Sequence, residues 1–198
     1  MNALQRGLMI AMVLAIALFG WIAFSGWLAE GEQGGQGEAA IGGPFELVDQ
    51  DGRTVRERDF AGKLMLVYFG FISCPDICPT ALQTVAIALD ELGDAVADVV
   101  PILITVDPER DNPAAMKEYV QSFHERMVGL TGSSEQIAQA ARAYRVYYQK
   151  VKLKDSSLDY AVDHSGFLYL MGRDGKYLAH FRHNVTPEEI VRRIRGKL

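Results

Sequence analysis

Cys74-Pro75-Asp76-Ile77-Cys78-Pro79 contains both cysteines of the 198-residue chain, four positions apart. A lone buried cysteine is usually a small hydrophobe. A pair bracketing a Pro-Asp turn calls for another account. Its thiolates can bind a soft metal or attack a disulfide. The alternative, a static disulfide, would close so short a loop that little unfolded-chain entropy is removed. A third residue, His164 in Asp163-His164-Ser165, lies far along the chain.

The elements around these residues decide whether they meet. Leu64–Phe71 is a nearly continuous apolar run and reads as a buried central strand. Pro79 suits a first helical turn, and Leu82, Val85, Leu89 and Leu92 then recur on one helical face. The cysteines therefore fall on a strand-to-helix loop, with Cys78 at about the N-cap. There the dipole and free N–H groups should lower its pKa. Val99–Val106 reads as a second buried strand, and Asn112 with Pro113 starts a helix reaching about Phe123. A short strand at Val128–Thr131 precedes a Ser133/Gln136 capping box and a helix to about Tyr144. Val146–Leu153 alternates like an exposed strand, and Lys154–Asp163 reads as a polar loop that ends beside His164. Hairpins are expected at Phe45–Val55 and Phe167–Phe181, and a final helix is capped by Thr186. The order predicts an α/β fold, a thioredoxin-like sandwich with an added β-hairpin.

In that layout the His164 segment lies beside the cysteine loop. Two thiolates and an imidazole suit copper, Cu(I) above all, whereas zinc would want a fourth ligand. Asp76 is read as a turn-former that can also tune a metal, and Asp163 as a candidate to orient the imidazole. His124, His180 and His183 read as solvated side chains. The cysteine spacing is one residue longer than in thioredoxins. No proline occurs from Ala114 to Thr186, so the proline that thioredoxins set opposite the dithiol is missing.

Length and charge frame the rest. A net charge of −5 gives no support to nucleic-acid binding. Residues 1–6 carry Arg6, and Gly7–Ala29 contains no charge. As a helix that run would be about 34 Å long, enough for a bilayer core of about 30 Å. Trp21 and Trp27 sit toward its far end. The expectation is one uncleaved transmembrane helix at 7–29, with the N-terminus cytoplasmic and the remainder outside a bacterial inner membrane. A cleaved signal peptide normally has a shorter apolar region. Residues 30–43 are glycine-rich and read as a flexible linker, with the globular domain over 44–198.

The chain resembles the SCO/SenC family of membrane-tethered copper proteins that assist cytochrome c oxidase assembly. The resemblance begins near Gly43 and rests on Gly43–Leu47, Val67–Thr80, Val106–Asp111, Gly129–Ser133, Tyr144–Tyr148 and Val162–Ser165. Ile72 departs from it, since threonine is common there. The resemblance implies that Cys74, Cys78 and His164 bind copper, Cu(I) or Cu(II). It also implies a metallochaperone in the periplasm that supplies the dinuclear copper site of oxidase subunit II. Other copper chaperones and thiol reductants would be further partners. The competing reading is a thiol–disulfide oxidoreductase whose redox-active Cys74–Cys78 pair reduces the cysteines of the target site. A redox or copper sensor is a third.

Overall fold

Leu64–Gly70 (β3) is buried at every position, so neither of its faces can be left to water. The computed structural model, which describes residues 41–152 and 159–198 with Asn2, Met12, Leu18, Gly20 and Trp21, places this strand inside a seven-stranded sheet. The other strands are Glu46–Asp49 (β1), Thr54–Arg56 (β2), Val99–Thr105 (β4), Val128–Thr131 (β5), Phe167–Met171 (β8) and Tyr177–Arg182 (β9), in the order β2-β1-β5-β4-β3-β8-β9. β3, β4 and β5 run parallel. β8 pairs antiparallel with β3, Val67 facing Tyr169.

Parallel neighbours need crossover connections. Ile77–Leu92 (α1) links β3 to β4, and Pro113–Gln121 (α2) links β4 to β5. Ser134–Ala143 (α3) follows β5, and Pro187–Arg195 (α4) ends the fold. Cys78, Leu82, Val85, Leu89 and Leu92 line the buried stripe of α1. Helix α1 packs against α4, α2 covers β5, and α3 covers β1. Asn112 accepts a hydrogen bond from Ala115 N–H, and Ser133 forms the expected capping box with Gln136. This is the mixed α/β, thioredoxin-like architecture expected from the order of elements.

Two expectations are corrected. Helix α1 begins at Ile77 with Asp76 as its N-cap, so Cys78 stands inside the first turn. Pro79 is tolerated as the third helical residue because the first N–H groups of a helix have no intrahelical acceptor. The polar loop expected over Lys154–Asp163 is partly a strand. Tyr160–His164 (β7) pairs antiparallel with Tyr148–Lys152 (β6), Tyr148 facing His164, and the two form a sheet of their own.

The chain divides into two units, Met1–Ala39 and Ala40–Leu198. Met12, Leu18, Gly20 and Trp21 aside, the anchor expected at 7–29 lies outside the described residues, and so does the linker before Ile41. Among the described residues no helix is long and apolar enough to cross a membrane.

Candidate metal centre

Strand β3 ends at Gly70, and the chain turns through residues 71–76 into α1. Cys74 N–H donates to Phe71 O at 3.3 Å, closing the turn. Helix α1 carries Cys78 fully into the core, while Cys74 stays half-buried at the rim. Gly70 makes this approach possible. A Cβ there would lie 2.9 Å from Cys78 Sγ and 2.9 Å from Tyr68 Cε1.

From the other side, the end of β7 delivers His164. Its Nε2 lies 3.4 Å from Cys78 Sγ, and Nδ1 lies 3.2 Å from Ser165 O. Ser165 is tied to Tyr147, the residue before β6, donating N–H to its O at 2.9 Å and accepting from its N–H at 3.2 Å on Oγ. Tyr68 and Phe71 wall the imidazole edge-on, with ring centroids 6.1 and 5.8 Å away. Ligand atoms of Cys74, Cys78 and His164 all lie within 4.8 Å of one another. Among the described residues this is the one Cys, His, Asp or Glu group able to hold a metal ion.

Both cysteines are free thiols. The Cys78 thiol hydrogen-bonds to Cys74, and His164, Cys78 N–H and Asp76 N–H add to it, holding the Cys74 thiol far below its ordinary range, to about 4. As donor to Cys74, and buried, the Cys78 thiol is pushed up. This reverses the expectation of a lowered pKa at Cys78. Proximity to the helix N-terminus favours a thiolate, but at Cys78 burial and the shared proton outweigh it. Tyr68, its own hydroxyl pushed up by burial, donates to Cys78 Sγ at 3.9 Å.

The polarisation has a measurable result. In the reduced, metal-free protein, iodoacetamide should alkylate Cys74 and spare Cys78. The rate should stay level from about pH 8 down to about pH 5, because reactivity follows the thiolate. A rate falling tenfold per pH unit across that range would mean an ordinary thiol at Cys74.

The other candidates stand apart. Asp163 is exposed, as alternation along β7 requires next to an inward residue, and His164 Nδ1 faces Ser165 O instead. The side chain of Asp76 is exposed. His180 accompanies Tyr177, with Nδ1 2.6 Å from its hydroxyl, and His183 is exposed. His124 is partly buried rather than solvated, its Nδ1 accepting from Arg126 N–H at 3.1 Å. Sequence reasoning missed Tyr68 and Gly70. Their signal was a hydroxyl and a glycine within an otherwise large, apolar run.

The SCO1/SenC family model matches residues 33–198. The chain belongs to the SCO1/SenC family. An SCO2-like protein of Rickettsia felis is 43% identical over 156 residues, spanning 79% of this chain and 76% of the relative. Bradyrhizobium japonicum ScoI with copper bound superposes with a TM-score of 0.74 at 44% identity, covering 80% of this chain and 100% of that one. BsSco, a member of the Sco family of cytochrome c oxidase assembly proteins in which a disulfide switch was identified, superposes at 0.62 with 26% identity, covering 80% of this chain and 93% of that one. SCO1/SenC proteins thus include a copper-bound structure and one with a disulfide switch, the two chemistries that a paired thiol and an imidazole support.

Proposed function

We propose that this chain carries one copper ion on Cys74 Sγ, Cys78 Sγ and His164 Nε2 and delivers it to the dinuclear copper site of cytochrome c oxidase subunit II. The observation that carries the reading is the convergence of those three side chains within 4.8 Å. Copper is cargo here, so the site must both hold and release it. Two sulfur donors and one imidazole match the preference of Cu(I), and imidazole also accepts Cu(II). When copper binds, a proton on Nδ1 donating to Ser165 O would leave the Nε2 lone pair free for the ion. Cys74 enters as a thiolate, while Cys78 gives up a proton when copper binds. A disulfide between them would remove both sulfur ligands, which couples loading to reduction. Copper chaperones would act as donors, and thiol reductants would keep the pair open. An uncleaved anchor at 7–29 would hold the domain on the periplasmic side of the bacterial inner membrane, supported by the uncharged length of that segment.

A second reading draws on the half-buried Cys74 thiolate beside a protonated Cys78. Cys74 would attack a target disulfide. Cys78, losing its proton, would then displace the second target thiol, so two electrons pass to the target and a Cys74–Cys78 disulfide remains.

Copper stoichiometry and absorption of the reduced domain separate the two readings. The parent should bind one copper. His164→Ala should weaken binding at least about tenfold and change the Cu(II) spectrum, with the dithiol still oxidisable. Parent-like binding of both copper states by His164→Ala would overturn the three-ligand site and favour disulfide exchange. Alkaline extraction of membranes from cells expressing the full chain should leave it in the pellet, and release of a chain starting near Glu30 would refute the anchor.

A further inference from the structure

The candidate site is built from two arms that share no strand ladder. Cys74 and Cys78 hang from β3 and α1 in the main fold. His164 closes β7, whose partner is β6, in a separate two-stranded sheet. A two-stranded hairpin is marginal by itself in water. Something outside its ladder has to hold it against the main sheet.

Val162 of β7 is buried in the core, and the stretch beginning at the end of β4 supplies a polar hold beside it. Thr105, Asp107 and Asp111 are polar yet fully buried. Asp111 Oδ2 accepts from Ile72 N–H at 3.1 Å, two residues before Cys74. The same oxygen accepts from Thr105 Oγ1 at 2.6 Å. Thr105 Oγ1 in turn accepts from Asp107 N–H at 2.9 Å. Asp107 Oδ1 accepts from the Tyr160 hydroxyl at 2.8 Å. Tyr160 opens β7, the strand that His164 ends. A continuous hydrogen-bond chain thus runs from the cysteine arm to the histidine arm through three buried side chains.

Further contacts grip the hairpin from the same stretch. Arg110 pairs with Asp107, donates to Tyr160 O at 3.2 Å, and lies 4.0 Å above the Tyr160 ring. Glu109 pairs with Lys150 of β6 at 2.6 Å. Burying two carboxylates is costly unless each is bonded, and here Asp111 is bonded to Ile72 N–H and Thr105, and Asp107 to Tyr160 and Arg110.

We propose that Thr105, Asp107, Asp111 and Tyr160 are positioning residues that keep the imidazole and the two thiols in register. The inference rests on the three-ligand reading above. The residues touch no metal themselves. Their effect on binding must therefore pass through the ligands, and that of Tyr160 through His164, which ends the same strand.

Two substitutions break the chain with little change of shape. Tyr160→Phe removes one hydroxyl and keeps the ring beneath Arg110, and Thr105→Val cuts the middle link. In the metal-free protein, either should speed amide exchange in β6 and β7 by about tenfold, the size expected for one net hydrogen bond, and leave Leu64–Phe69 of β3 and Val99–Leu103 of β4 unchanged. Copper affinity should fall about three- to tenfold. In a His164→Ala background, Tyr160→Phe should cause no further loss of affinity. Unchanged exchange in the hairpin would overturn the proposal. So would a Tyr160→Phe loss of affinity equal in both backgrounds, which would show general destabilisation. A parent that binds no copper overturns the copper reading alone, because hairpin exchange still decides whether the chain of bonds holds the arm.

Discussion

Cys78→Ser should lower copper affinity by about a thousandfold or more while leaving the fold in place. A hydroxyl is a poor ligand for a soft ion and stays protonated, so the ion loses one of its two sulfur donors. A thousandfold corresponds to about 4 kcal/mol. The fold should survive because the change is nearly isosteric and the buried position already faces polar partners. Tyr68 Oη lies 3.9 Å away and His164 Nε2 lies 3.4 Å away. Stability should therefore change by about 1–2 kcal/mol at most. Cys74→Ser should cost as much affinity and even less stability, since Cys74 sits half-exposed at the rim. Competition against a Cu(I) chelator, alongside urea denaturation, reads both quantities. Affinity within tenfold of the parent in either variant would remove that sulfur from the ligand set.

Gly70→Ala should damage the site without touching a ligand. The added Cβ would meet Cys78 Sγ at 2.9 Å and the Tyr68 ring at 2.9 and 3.3 Å. Neither neighbour has room to retreat, since Tyr68 and Cys78 are both fully buried. Overpacking of this kind costs about 1–3 kcal/mol. The strain falls on the sulfur that lies 3.4 Å from His164 Nε2. The expected result is a lowered denaturation midpoint together with a loss of copper affinity of about tenfold or more, because ligand placement tolerates little displacement. A destabilised variant that bound copper normally would show that β3 shifts and Cys78 does not.

The ligand candidates were legible because their residue types are scarce. Two cysteines in 198 residues cannot be mistaken for background, and His164 followed from the expected topology. The central strand and the capped helices were legible because their signals are local. The β7 strand was not. Its residues alternate weakly, Asp163 outward and Val162 inward, beside a polar stretch, and its pairing partner β6 is exposed. Nor was the polarity of the thiol pair legible. Distance from a helix start pointed to Cys78, but the outcome depended on which sulfur was buried and which accepted the shared proton. The role of Asp111 was hidden for a similar reason. In sequence it is one acid in the run Asp107–Asp111, and only the fold brings it 39 positions back to the amide of Ile72.

The 86-residue separation of Cys78 and His164 also fixes when the site comes into being. Closing so long a loop costs about 4 kcal/mol from its length alone, which packing of the strands between the two arms helps to offset. In the folded domain β3 pairs with β4 and β8, and the two arms are held on this frame. During synthesis the cysteines emerge first, and His164 follows Cys78 only 86 residues later. A nascent chain therefore exposes a bare dithiol, open to oxidation in an oxidising compartment. The three-residue constellation is complete only in the folded domain, so a cargo selected by all three side chains is selected by the finished domain.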